Sequence, residues 1–135
     1  MTLKEAKFHK LLDRYRDKRE IEPVPCGGLM EYVEQGILEG DELDDYLREK
    51  LKPFMDSKIS SIVLGCTHYP FVKNAIEKVV GQDVDIIDGS LGTARELMRR
   101  LKEKDLLNDS MEKGTIEMIN SSNKKELIDL CWKLI

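Results

Sequence analysis

The chain has 135 residues, 41% of them apolar and 36% charged, with a formal net charge of −4. That is the length of one ordinary domain able to bury a core, and the acidic balance excludes a general binder of nucleic acid or of anionic membrane. No apolar run approaches the roughly 18 residues of a transmembrane helix and no signal-peptide core follows Met1, so a cytoplasmic setting is expected.

Thr2 and Glu5 have the spacing of a capping box for a first helix, with Phe8, Leu11, Leu12 and Tyr15 as its apolar stripe. His9 lies beside that stripe and reads as a surface residue. Glu20 to Pro25 reads as an extended segment or edge strand, because Pro23 and Pro25 bias the residues before them away from helix. Cys26, Gly27 and Gly28 form a turn before a short helix from Leu29 to Gln35, with Gly36 as its break. Glu31 and Glu34 share a face of that helix. A further helix begins at Asp41, with Leu43, Tyr46, Leu47 and Leu51 in register and Pro53 near its end.

Ile62, Val63 and Leu64 form a short continuous apolar run, the pattern of a strand buried on both faces. Pro70 opens the next helix, whose stripe is Val72, Ala75, Ile76, Val79 and Val80, and Gly81 stops it. Val84, Ile86 and Ile87 predict a second strand, after which Ser90 caps a helix with Ala94, Leu97, Met98 and Leu101 on one side. A solvated charge run over residues 99–105 and a polar connector follow. Residues 115–119 predict a last strand, and Ser122 or Asn123 caps a final helix with Leu127, Leu130, Cys131 and Leu134 facing a core. Strands alternating with helices predict an α/β fold with a mostly parallel sheet and flanking helices.

The chemistry gathers between the first of those strands and the helix after it. Cys66, Thr67 and His68 stand where the carboxyl end of a strand meets a helix N-terminus, the place at which open α/β sheets bind ligands and at which anions or thiolates are favoured. A cysteine alone is commonly a small buried hydrophobe. An imidazole two residues away changes that, because such pairs generate reactive thiolates. Cys26, Cys66 and Cys131 are odd in number, widely spaced and without Cys-x-x-Cys, which fits a reducing compartment rather than a disulfide framework. With two histidines and no paired ligand spacing, no metal site is expected.

Leu64-Gly-Cys-Thr-His-Tyr-Pro70 resembles the second active-site motif of the glutamate racemases, in the cofactor-independent aspartate/glutamate racemase superfamily. Other segments agree in order: Thr2 through Phe8, Cys26 through Gly36, and Val84 through Arg95. Gly27 stands where the family usually has proline. The resemblance implies the C-terminal half of such an enzyme: residues 1–88 as a second-lobe α/β region carrying the Cys-Thr-His motif, and 89–135 as a helix-strand-helix segment that packs back on the first lobe. It further implies interconversion of L- and D-glutamate without a cofactor, in the supply of D-glutamate for cell-wall peptidoglycan. Family members use two thiols on opposite sides of the substrate, one as thiolate base and one as thiol acid.

Carried over by motif, Cys66 is one of those acid/bases, His68 assists it, Glu34 works beside His68, and Thr67 with Cys66 contacts substrate. Cys26 stays structural. The other catalytic cysteine belongs to a motif in the family's first half, and neither Cys26 nor Cys131 lies in its context. One thiol serves one face of the substrate, so the chain by itself is expected to be catalytically incomplete. Uncovered sheet edges and apolar helix faces then favour a homo-oligomer or a complementing N-terminal half as partner. Two further readings are a one-thiol branch of the superfamily, such as a decarboxylase, and a racemase-like binding or interaction domain without turnover.

Overall fold

The computed structural model describes residues 6–15, 17, 20–55, 59–122 and 124–135. The elements are α1 (Ala6–Asp13), α2 (Leu29–Glu34), α3 (Asp41–Met55), β1 (Ser61–Val63), a 3-10 turn (Tyr69–Val72), α4 (Lys73–Val80), β2 (Asp85–Ile87), α5 (Ser90–Glu103) and α6 (Lys125–Lys133). β1 and β2 pair in parallel, with Ser61 opposite Asp85, Ile62 opposite Ile86 and Val63 opposite Ile87. A parallel pair needs a crossover, and α4 supplies it. The result is a small α/β unit: a two-stranded parallel sheet with flanking helices.

The core comes from helical periodicity. Leu29 and Val33 on α2, Leu43, Leu47 and Leu51 on α3, and Val72, Ala75, Ile76 and Val79 around α4 close over Leu64 at the end of β1. Gly28, before α2, has a φ of 100°, a left-handed conformation that glycine adopts without strain. Asp44 on α3 is buried, at 2% exposure, and is partnered by the Lys78 ammonium from α4, with Arg48 4.0 Å away. The hydrogen bond and charge of Asp44 hold the Lys78 ammonium above its ordinary range. This pair ties α3 to α4 beneath the sheet's crossover.

Several expectations are corrected. The first strand is not buried on both faces: Val63 is 70% exposed and Ile87, its partner in register, 49%, because nothing among the described residues layers over that side of the sheet. Residues 115–119 form no strand, since no neighbouring strand pairs with them, and Ile116 and Ile119 are exposed. The C-terminal segment is therefore helix, irregular connector, helix. The α5 stripe faces solvent, with Leu97 and Met98 exposed. Cys131 is likewise exposed rather than core. α6 is held near α2 through Leu130 and Leu134 instead, so Cys131 falls off the contact.

Caps also differ. α5 begins after Gly89, and the Asp88 carboxylate accepts the Ser90 N–H at 2.9 Å. α6 begins after Lys124, whose N–H reaches the Ser122 hydroxyl at 3.3 Å. Leu12 of α1 is buried, but Leu11 and, beyond the helix, Tyr15 are exposed. The Thr2–Glu5 capping box and the alternative cap Asn123 lie outside the described residues. His9 is exposed, as expected. No helix among the described residues is long and apolar enough to cross a membrane.

The contrast between the α3 core and the α5 stripe is measurable. Leu47→Ala should lower unfolding stability by about 2–4 kcal/mol in urea titration, whereas Leu97→Ala should change it by less than about 0.5 kcal/mol.

Candidate active site

Leu64 donates its N–H to the Ile87 carbonyl at 2.8 Å, which extends the β1–β2 pairing one step and anchors the loop beyond it. The chain then turns sharply: the Tyr69 N–H reaches the Cys66 carbonyl at 3.2 Å, and the Phe71 N–H reaches the His68 carbonyl at 3.2 Å. Pro70 lies within this 3-10 turn, where its missing N–H costs nothing. Burial of Val72, Ala75 and Ile76 fixes the turn onto the core, leaving Cys66 and His68 half-buried and Thr67 exposed at its outer side.

Three of the four residues singled out in the sequence come together. The Cys66 Sγ is 3.7 Å from His68 Nδ1. On the far side of the ring, His68 Nε2 is 3.8 Å from Glu34 Oε1. Glu34 is the last residue of α2, so a segment thirty-odd positions upstream delivers a carboxylate to the imidazole. The side chains of His68 and Glu34 are 32% and 54% exposed, so the pair meets solvent and remains accessible. Thr67 stands beside Cys66 on the loop, and among the described residues its side chain makes no hydrogen bond.

An imidazole between a thiol and a carboxylate can move a proton. With 3.7 Å between Cys66 Sγ and His68 Nδ1, the pair is placed to exchange a proton, an S–H bond breaking as an N–H bond forms at the ring. The thiol can thus serve as base in one protonation state and as acid in the other.

Cys26 behaves differently. It is half-buried, its thiol points to the Val24 carbonyl at 3.7 Å, and burial pushes its pKa up, with Lys50 opposing. Glu31 is exposed, and among the described residues its side chain makes no hydrogen bond or ion pair. Sequence reasoning assigned no role to Tyr69 or Tyr46. The Tyr69 hydroxyl donates to the Cys26 carbonyl at 3.3 Å, and the Tyr46 hydroxyl donates to the Gly27 carbonyl at 2.9 Å. Burial raises the pKa of both phenols. The available signal was position: Tyr69 directly follows His68, and Tyr46 sits on the buried stripe of α3 with a polar tip.

A cleft of about 330 Å³ lies between the end of α2 and α6, lined by Glu34, Gln35, Glu126, Leu127, Leu130 and Lys133 among others. Glu34 therefore stands between this cleft and His68. Cys66 does not line it.

No family model matches the sequence. The chain is 54% identical over 134 residues to a glutamate racemase of Clostridium perfringens, covering 99% of this chain and 52% of that protein. It is 50% identical over 135 residues to a glutamate racemase of Clostridium botulinum, covering all of this chain and 52% of that protein. Among solved structures, it superposes on glutamate racemase from Francisella tularensis in complex with D-glutamate with a TM-score of 0.66 and 33% identity, over 76% of this chain and 38% of that one. Glutamate racemase from Thermus thermophilus in complex with β-chloro-D-alanine gives a TM-score of 0.69 at 25% identity, over 93% of this chain and 49% of that one. The chain spans about half the length of the curated relatives it matches.

The three thiols should be distinguishable by alkylation with iodoacetamide near neutral pH, followed residue by residue by mass spectrometry. Cys26 should react more slowly than the exposed Cys131, since a raised thiol pKa means less thiolate. His68→Ala should slow Cys66 alone, by roughly tenfold.

Proposed function

We propose that this chain, which resembles the C-terminal half of glutamate racemases, supplies one of two acid/base thiols for proton transfer at the α-carbon of glutamate. The observation that carries the reading is the arrangement of Cys66, His68 and Glu34, with 3.7 Å from thiol to ring and 3.8 Å from ring to carboxylate. Racemisation without an electron sink requires a base placed against a weakly acidic C–H bond and a setting that stabilises the carbanion. Cys66 removes the proton as a thiolate from one enantiomer and returns one as a thiol in the other direction. His68 holds the proton in transit, and Glu34 supports its charge. Thr67, beside the thiol on the exposed side of the loop, contacts the substrate through its hydroxyl or its N–H.

A single thiol reaches one face of the α-carbon. The second acid/base belongs to the half of the relatives that this chain does not match. The apolar surfaces of residues 89–135, together with the bare face of β1 and β2, are where that half packs, or where a second copy of the chain takes its place. Residues 1–88 then form the lobe that carries Cys66, and the setting is the cytoplasm, where D-glutamate enters cell-wall precursors. The exposure of Leu91, Leu97 and Met98 on α5 also favours a second reading, a racemase-like interaction domain without turnover.

Solvent deuterium incorporation into L- and D-glutamate, read by NMR for the purified chain beside Cys66→Ala, separates the two. Exchange into one enantiomer without inversion, lost in Cys66→Ala, is the expected result. Glutamate binding with no exchange in either enantiomer would sink the catalytic reading and leave the interaction domain. Full racemisation by the chain alone would overturn the requirement for a second half.

A further inference from the structure

Glu34 reaches His68 only because α2 sits at one height along its axis. α2 has six residues, so it is about 9 Å long. Leu29 and Val33, at 1% and 0% exposure, fix which side of the helix faces the core. Apolar burial is non-directional: it fixes the buried side of the helix, whereas hydrogen bonds also specify where particular atoms sit along the axis. The contact between Glu34 and His68, at 3.8 Å, is already at the outer limit of an ion pair. A displacement of about 1 Å would separate the two groups and let water between them.

Directional bonding resists such a displacement: the Tyr32 hydroxyl of α2 donates to Glu42 of α3 at 3.1 Å, and two more hydroxyl bonds hold the turn at the start of the helix. The turn before α2 presents the carbonyls of Cys26 and Gly27, and each accepts a phenolic hydroxyl. Tyr69 donates to Cys26 and Tyr46 to Gly27, at 3.3 and 2.9 Å. The two phenols come from different elements: Tyr46 from the middle of α3, Tyr69 from the 3-10 turn immediately after His68. The Tyr46 ring also packs near Gly28, where a Cβ would lie 3.7 Å from it. Tyr69 therefore belongs to the same turn as the imidazole while gripping the helix that brings the carboxylate.

We propose that Tyr69 and Tyr46 are positioning residues, whose hydroxyls clamp the turn of Cys26, Gly27 and Gly28 and so set where Glu34 meets His68. The inference rests on the reading that Cys66, His68 and Glu34 work as a unit. It assigns the tyrosine of the Cys-Thr-His-Tyr segment a job distinct from core packing.

The test is a double-mutant cycle on the full chain, with the iodoacetamide rate at Cys66 as readout and Cys26 and Cys131 as internal controls. Glu34→Gln should slow Cys66 by about threefold, the scale of a solvent-exposed charge pair. Tyr69→Phe keeps the ring and loses only the hydroxyl, and it should slow Cys66 by a similar factor. The double variant should be no slower than Glu34→Gln, because the phenol acts through the carboxylate. A Tyr69→Phe chain that reacts like wild type, or one whose effect multiplies with that of Glu34→Gln, overturns the clamp and leaves the three-residue unit standing. If Glu34→Gln itself leaves Cys66 unchanged, the three-residue reading fails and the clamp falls with it. Should Tyr69→Phe loosen the fold, seen as fast alkylation at Cys26, Tyr46→Phe carries the same cycle with the same criteria.

Discussion

Val33 is wholly buried and Glu34, the next residue, is half exposed; that step from core to solvent at the end of α2 is the constraint on which the site depends. Val33 is buried in the core cluster where α2 meets the 3-10 turn, and Glu34 emerges beside the loop that carries His68. The same packing holds the loop from the other side, through Val72 and Leu64. An ion pair between exposed groups contributes little stability of its own. Here the apolar core supplies the stability, and it decides which side of α2 faces solvent.

The loop obeys a second constraint, set by the sheet. β1 and β2 run parallel, so both of their carboxyl ends open on the same side, and Cys66 emerges just beyond one of them. α4 must cross back from that side to reach β2, which places the turn containing Pro70 directly after His68. A thiol and an imidazole two residues apart in a tight turn necessarily lie near one another. The carboxylate does not share that necessity, and it arrives through tertiary packing.

Beyond β2 the chain changes character. α5 carries ion pairs between Glu96 and both Arg99 and Arg100, which support the helix in solvent, while its apolar stripe stays uncovered. The sheet face bearing Val63 and Ile87 is bare as well. An amphipathic helix and a two-sided strand are sequences written for burial, and their exposure is consistent with a chain that matches about half of its relatives' length. α6 does return to α2, where Leu130 approaches Gly36.

The short helix α2, the α3 and α4 stripes, the two strands and the Cys66–His68 motif were legible in the sequence, because each depends on periodicity or on spacing within a few residues. Glu34 was legible only through family resemblance, since its spacing to Glu31 reads equally well as a solvated helix face. The strand expected at residues 115–119 and the burial of Cys131 failed for a common reason. Apolar patterning records that a segment can be buried, whereas burial itself needs a partner surface, and none of the described residues provides one there. The sequence by itself determined the helices, the two strands, the core residues of α3 and α4 and the closeness in sequence of the thiol and the imidazole. Only the tertiary structure decided which carboxylate faces the ring, which carbonyls the tyrosines grip and which apolar faces stay bare, because those outcomes depend on contacts between segments that no local pattern encodes.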